Sequence, residues 1–264
     1  MAKDTQKKWA IILGASSGFG QAAAVELAKN GMNICGVHLD RKAGLGNVEK
    51  IKSAIESEGA KALFFNVNAA DPEKRAEVLD SLAGPAGAES PVKVLLHSLA
   101  FGTLKHYVSD KPEEMLTNKN MDMTLDVMAH SLVYWSQDVV TRKLMGEGGR
   151  IFAMTSSGSH RVWPTYGAVS AAKAALEHHI RQLAVELAPK KITANSIRAG
   201  VTDTPALRKI PGNEALVENA MRVNPSGRLT TTEDVAKTIA LLAQSGADWV
   251  TGNVIGVDGG EDLI

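Results

Sequence analysis

A short apolar run, Trp9-Ala10-Ile11-Ile12-Leu13, is broken by Gly14-Ala15-Ser16-Ser17-Gly18-Phe19-Gly20. The chain then turns helical from Gln21 to Asn30, with Gly31 as its stop. Unbroken apolarity is expected of a strand covered on both faces, as in a parallel sheet. Strand, glycine-rich turn and helix in succession open a nucleotide-binding βαβ unit. Glycines there allow a tight turn and let backbone N–H groups approach a pyrophosphate, and the helix N-terminus adds a favourable dipole. Gly-Ala-Ser-Ser-Gly also occurs in ordinary loops, and its position between strand and helix gives it meaning. This picks out Gly14, Ser16, Ser17, Gly18, Phe19 and Gly20 as cofactor contacts.

The same alternation runs down the chain. Strands are predicted over Asn33–Leu39, Ala62–Val67, Pro91–Ser98, Arg150–Thr155, Ile192–Ile197 and Asn253–Val257. Helices are predicted over Val48–Glu58, from Asp71-Pro72-Glu73 onward, over Pro112–Met145 with a break near Asn118–Asn120, after Pro164-Thr165, and over Thr232–Gln244. Alternating strands and helices imply a mostly parallel sheet with helices on both faces. The expected fold is a single doubly wound, Rossmann-type α/β domain over residues 1–264. Residues 199–228, with Pro205, Pro211 and Pro225, read as a substrate loop holding a short helix. Its apolar residues, among them Leu207, Ile210 and Met221, suit either an acyl chain or ordinary packing.

Formal net charge is zero and no basic run appears, which argues against nucleic acid or a membrane surface as the main partner. The single cysteine, Cys35, excludes an internal disulfide framework. The polar stretch Met1–Lys8 precedes only a short apolar run, so no secretory signal is expected and a cytoplasmic location is the default.

Chemistry is concentrated between Ser156 and Ala188. Tyr166 and Lys173 stand seven residues apart, about two helical turns, and so share a face. A phenol beside an ammonium makes an acid and its activator, the cation lowering the tyrosine pKa towards neutrality. A helix-start tyrosine and a solvated lysine would look the same. At the end of the second strand His38 occupies the expected acidic position, and Asp40 follows. Arg41 and Lys42 just beyond suit a 2′-phosphate, which favours NADPH, with NADH as the alternative. Tyr107-Val108-Ser109-Asp110-Lys111 is a literal Tyr-x3-Lys but lies in a loop upstream of the serine. Tyr134 reads as packing, and the adjacent His178 and His179 point in different directions, so no metal site is expected.

Over nearly its whole length the chain resembles the short-chain dehydrogenase/reductase family. Gly14–Gly20 is similar to that family's cofactor turn, with Leu13 where threonine is usual, and Asn66-Val67 to its adenine-contacting pair. Ser156 and Lys173 match its catalytic serine and lysine; Gly200, Val201 and Thr204 resemble its nicotinamide-side loop, and Val257-Asp258-Gly259-Gly260 its last strand. The departures are informative. Where mainstream members have Tyr-x3-Lys, this chain has Val169, and the phenol stands at Tyr166, giving Tyr-x6-Lys. His97-Ser98-Leu99-Ala100-Phe101 replaces Asn-Asn-Ala-Gly, bringing Ser98, Leu99 and Ala100 to the cofactor, and Met128 lies near the usual helix asparagine. All three look like the enoyl-acyl-carrier-protein reductases of fatty-acid synthesis. A serine ten residues before the tyrosine is similar to a smaller NADPH-using branch of them.

The resemblance implies hydride transfer from NADPH to the β carbon of a 2-enoyl thioester on acyl-carrier protein, in a homotetramer. Charge then collects on the thioester carbonyl oxygen, three bonds from the hydride acceptor. A tyrosine moved from position 169 to 166, about 5 Å along a helix, is displaced in keeping with that separation. Tyr166 would donate to the enolate oxygen, Lys173 would hold the nicotinamide ribose, and Ser156 would add a weaker bond. The alternatives are a 3-oxoacyl or other carbonyl reductase of the same family, and a dinucleotide-binding sensor without turnover.

Overall fold

The computed structural model describes residues 7–86 and 91–264; the polar stretch at 1–6 lies outside them. Seven parallel strands form one sheet in the order β3-β2-β1-β4-β5-β6-β7. They are β1 (Trp9–Leu13), β2 (Asn33–His38), β3 (Ala62–Asn66), β4 (Val92–His97), β5 (Arg150–Thr155), β6 (Thr193–Ala199) and β7 (Val254–Val257). Helices α1 (Gly18–Lys29), α2 (Leu45–Ser57) and α8 (Thr232–Leu242) cover one face. Helices α3 (Pro72–Ala86), α4 (Asn118–Leu125), α5 (Ser131–Thr141) and α6 (Gly167–Leu187) cover the other. The alternation in the sequence therefore yields the doubly wound Rossmann-type architecture. Strands β1, β2, β4 and β5 are almost wholly buried, which is why they read as continuous apolar runs rather than as period-two patterns.

Strand order reverses between β1 and β4, and at that switch point the ends of adjacent strands splay into a crevice. The glycine turn follows β1 and the His97–Phe101 segment follows β4, so both open onto it.

Several ends shift by a few residues, with α1 beginning at Gly18 and β6 ending at Ala199, and three differences matter for the site. Strand β2 stops at His38, leaving Leu39 exposed. The helix expected over Pro112–Met145 is a 3-10 turn at Pro112–Glu114, then α4, then a π-helical stretch at Asp126–His130, then α5. The Thr117–Asn120 capping box starts α4. Finally, α6 begins at Gly167, so Tyr166 is its N-cap and not a residue within it. The residue before it, Thr165, has φ of 64°, a strained conformation for a β-branched side chain. The 199–228 loop contains the expected short helix, α7 (Asn213–Val223).

Cys35 sits in the middle of β2, opposite Ile11 and Leu63, with no exposure, and burial pushes its thiol up to about 12. No helix among the described residues is long and apolar enough to cross a membrane.

Candidate active site

The glycine turn is shaped by what would collide with a side chain. A Cβ on Gly14 would lie 2.4 Å from the Ser98 carbonyl oxygen, and one on Gly20 2.0 Å from the Gly14 carbonyl oxygen. Gly14 and Gly18 have φ of 90° and 55°, a region open to glycine. The turn thus lies flat against the Ser98 backbone and the Leu99 side chain. Ser17 is the N-cap of α1, and no side chain caps that helix. Its first-turn N–H groups have no side-chain cap, as suits a site for a phosphate. Phe19 is packed against the α1 side of the core, and Ser16 is held through its carbonyl by Asn47 Nδ2 at 2.8 Å. These residues fit a dinucleotide: the cradle admits only backbone, and the helix end is left open.

At the far end of β2, His38 is buried with Nδ1 2.9 Å from an Asp40 carboxylate oxygen. The carboxylate in this region therefore comes from Asp40, two residues beyond the counted position, and it is paired. Asn66 spends its side chain on the Asp40 backbone, accepting from the N–H at 2.9 Å and donating to the carbonyl at 3.0 Å. The Val67 N–H donates to the His38 carbonyl at 2.8 Å, so β2 and β3 end locked together. Arg41 and Lys42 are exposed beside this pair.

The candidate catalytic cluster lies where β5 meets α6. Tyr166 is half-buried, and its ring lies over Gly158, where a Cβ would come within 2.7 Å of Cε1 and 3.2 Å of Ser156 Oγ. Ser156 Oγ is buried with no hydrogen-bond partner of ordinary geometry, yet it is close enough to favour the phenolate slightly. Burial outweighs this and raises the Tyr166 pKa. That overturns the expectation that Lys173 would pull it down: the phenol keeps its proton at neutral pH and so has a hydrogen bond to donate. Lys173 is buried and donates from Nζ to the Met154 carbonyl at 2.6 Å. Its burial lowers its pKa to about 8, partly offset by Glu177. Glu177, one turn further along α6, accepts from Thr155 Oγ1 at 2.7 Å.

Val169, at the mainstream tyrosine position, is buried and closes on Gly102, whose added Cβ would meet Val169 Cγ2 at 2.6 Å. Met128 lies in the π-helical stretch and also touches Gly102. That stretch is tied down by Ser131 Oγ, which donates to the Val127 carbonyl and accepts from His97 Nε2 at 2.9 Å. His97 is held neutral by burial and by the nearby Lys173, its pKa lowered to about 3. Tyr107, the decoy, packs its ring against Gly167 at the start of α6.

The loop after β6 reaches back to the glycine turn: the Thr204 methyl is 3.6 Å from a Cβ built on Gly18. The Val201 N–H is already engaged by both oxygens of Glu261 at 3.1 Å. Gly200 packs against Thr230 and Glu261. Glu177, Thr155, Ser131 and Glu261 escaped sequence reading, since each bonds a partner remote in the chain. A cavity of about 450 Å³ lies elsewhere, between the start of α8 and Gly256–Gly260. Among the described residues no three His, Cys, Asp or Glu side chains gather as metal ligands.

Residues 14–261 match the family model described as enoyl-(acyl carrier protein) reductase. The chain is 31% identical to an NADPH-dependent aldehyde reductase-like, chloroplastic protein of Arabidopsis thaliana, covering 95% of this chain and 93% of that one. It is 28% identical to a 1-cyclohexenylcarbonyl-CoA reductase of Streptomyces collinus, covering 98% and 88%. The solved structure of the angucycline C-6 ketoreductase LanV with bound NADP superimposes with a TM-score of 0.83 at 25% identity, covering 97% of this chain and 96% of that one.

Proposed function

The chain belongs to the short-chain dehydrogenase/reductase family, and from that premise we propose that it is an NADPH-dependent reductase of 2-enoyl thioesters. The observation that carries this reading is the placement of the phenol. Tyr166 caps α6 one turn ahead of Val169, which is buried and has no proton to give. A donor at that end of the helix suits an oxygen remote from the carbon that accepts hydride, as in an enoyl thioester. The protonated state of Tyr166 suits a donor to the enolate oxygen rather than a base.

When bound, NADPH supplies the hydride. Gly14–Gly20 and the open end of α1 would hold its pyrophosphate, and Arg41 and Lys42 its 2′-phosphate. Lys173 Nζ uses one donor on Met154 and keeps two for the nicotinamide ribose hydroxyls. Ser156 Oγ, unpartnered beside the phenol, is free to add a bond to the same thioester oxygen. The name of the Streptomyces relative, a reductase of an unsaturated CoA thioester, supports this reading. The aldehyde reductase-like relative favours a carbonyl substrate instead, which makes a 3-oxoacyl thioester the necessary comparison.

The test follows loss of nicotinamide absorbance with matched 2-enoyl and 3-oxoacyl thioesters, each on CoA and on acyl-carrier protein, with NADPH and with NADH. Turnover of the 2-enoyl thioester with NADPH is expected. Turnover of the 3-oxoacyl thioester alone would replace this reading with carbonyl reduction. Tyr166→Phe is expected to lower kcat by about 10²–10³-fold with NADPH binding unchanged.

A further inference from the structure

We propose that Asp262 is a positioning residue that clasps the segment carrying Ser156 and Tyr166 to the end of β6. Between those two residues the chain is poorly held. His160 to Pro164 are all exposed. The backbone bonds here are local: Ser159 N–H to the Ser156 carbonyl, His160 and Arg161 N–H to the Ser157 carbonyl, and Tyr166 N–H to the Trp163 carbonyl. The side-chain bonds by which His160 and Arg161 reach beyond this segment run to residues 262–264, about a hundred positions away.

Asp262 is the hub. Its carboxylate is 3.1 Å from His160 Nε2, 3.2 Å from Arg161 Nε and 2.9 Å from Arg198 Nη2. Its side chain is only 12% exposed. Arg161 Nη2 donates to the Asp262 carbonyl as well, at 3.1 Å. Arg198 belongs to β6, so the carboxylate joins a rigid strand to a loose loop. The preceding residue, Glu261, grips the Val201 N–H. Two adjacent carboxylates thus fix the Tyr166 segment and the loop after β6 relative to one another. Such a device is needed because Thr165 is held in a left-handed conformation immediately before Tyr166. A strained turn persists only where its surroundings over-determine it.

The clasp itself is independent of the substrate; only the choice of assay substrate rests on the enoyl-thioester reading. The first measurement therefore uses none. Arg161 lies in the exposed segment and is a trypsin site. In Asp262→Asn, cleavage after Arg161, identified by fragment mass, is expected to accelerate at least fivefold while the thermal midpoint stays within a few degrees. The second measurement is kcat on whichever thioester the wild type turns over. It is expected to fall at least fivefold in Asp262→Asn, with the NADPH dissociation constant within twofold, and to recover largely in Asp262→Glu. Arg161→Gln, a change at an exposed side chain, is expected to reproduce the kcat loss should Asp262→Asn not fold. Unchanged cleavage or unchanged kcat in Asp262→Asn, or unchanged kcat in Arg161→Gln where Asp262→Asn does not fold, would overturn the clasp. Failure of the enoyl thioester with turnover of the 3-oxoacyl one would remove the functional reading and leave the clasp standing.

Discussion

At the residue scale, Lys173 is expected to set the pH dependence. Burial brings its pKa to about 8. Chemistry that uses the cation is therefore full below that pH and fades above it. Stability runs the other way. In the unfolded chain the lysine keeps its proton up to about pH 10.4. Between the two values the unfolded state binds more protons, so stability rises with pH across that window, and the cost of burying the charge is fully present below pH 8. We expect kcat to decline above pH 8 while the thermal midpoint of the wild type, measured against Lys173→Met, climbs from pH 8 to 10. A flat difference would mean that the lysine is solvated. Spacing led to the expectation that Tyr166 and Lys173 share a helix face. It did not show that Lys173 donates to Met154, because that bond depends on how β5 lies under α6.

At the scale of elements, most strands and helices were legible because the parallel sheet writes apolar runs and the helices write periodic ones. What was hidden is local or remote. The helix over Pro112–Met145 read too long because the 3-10 turn at Pro112–Glu114 is separate from α4 and because α5 ends at Thr141, while the π-helical stretch at Asp126–His130 stays helical and so left no sign. The cap at Tyr166 depends on the conformation of Thr165, and Pro164-Thr165 alone suggested a start two residues earlier. Pairs such as Thr155–Glu177 and Asp262–Arg161 carry no local signature. The glycines sort by element in a way that can be measured. Gly20→Ala would drive a Cβ to within 2.0 Å of the Gly14 carbonyl oxygen. It is expected to cost about 1–3 kcal/mol or more and to abolish NADPH binding. Gly46→Ala, inside α2 with nothing within 4 Å, is expected to stabilise by up to about 1 kcal/mol. Urea midpoints of the two variants test both signs.

At the scale of the whole molecule, the sheet order places every candidate group on one edge. The glycine turn, the His97 segment, Ser156 and the loop after β6 all follow C-terminal strand ends, and α6 brings Tyr166 and Lys173 back across β5. The sheet joins strands distant in sequence, with β1 between β2 and β4, so it is gained or lost largely as a unit. Cys35 lies at the middle of that arrangement. Its thiol is protonated and out of reach, so an alkylating reagent meets it only when β2 leaves its neighbours. The native protein carries an internal clock for that event, one sulfur whose rate of modification counts openings of the central sheet.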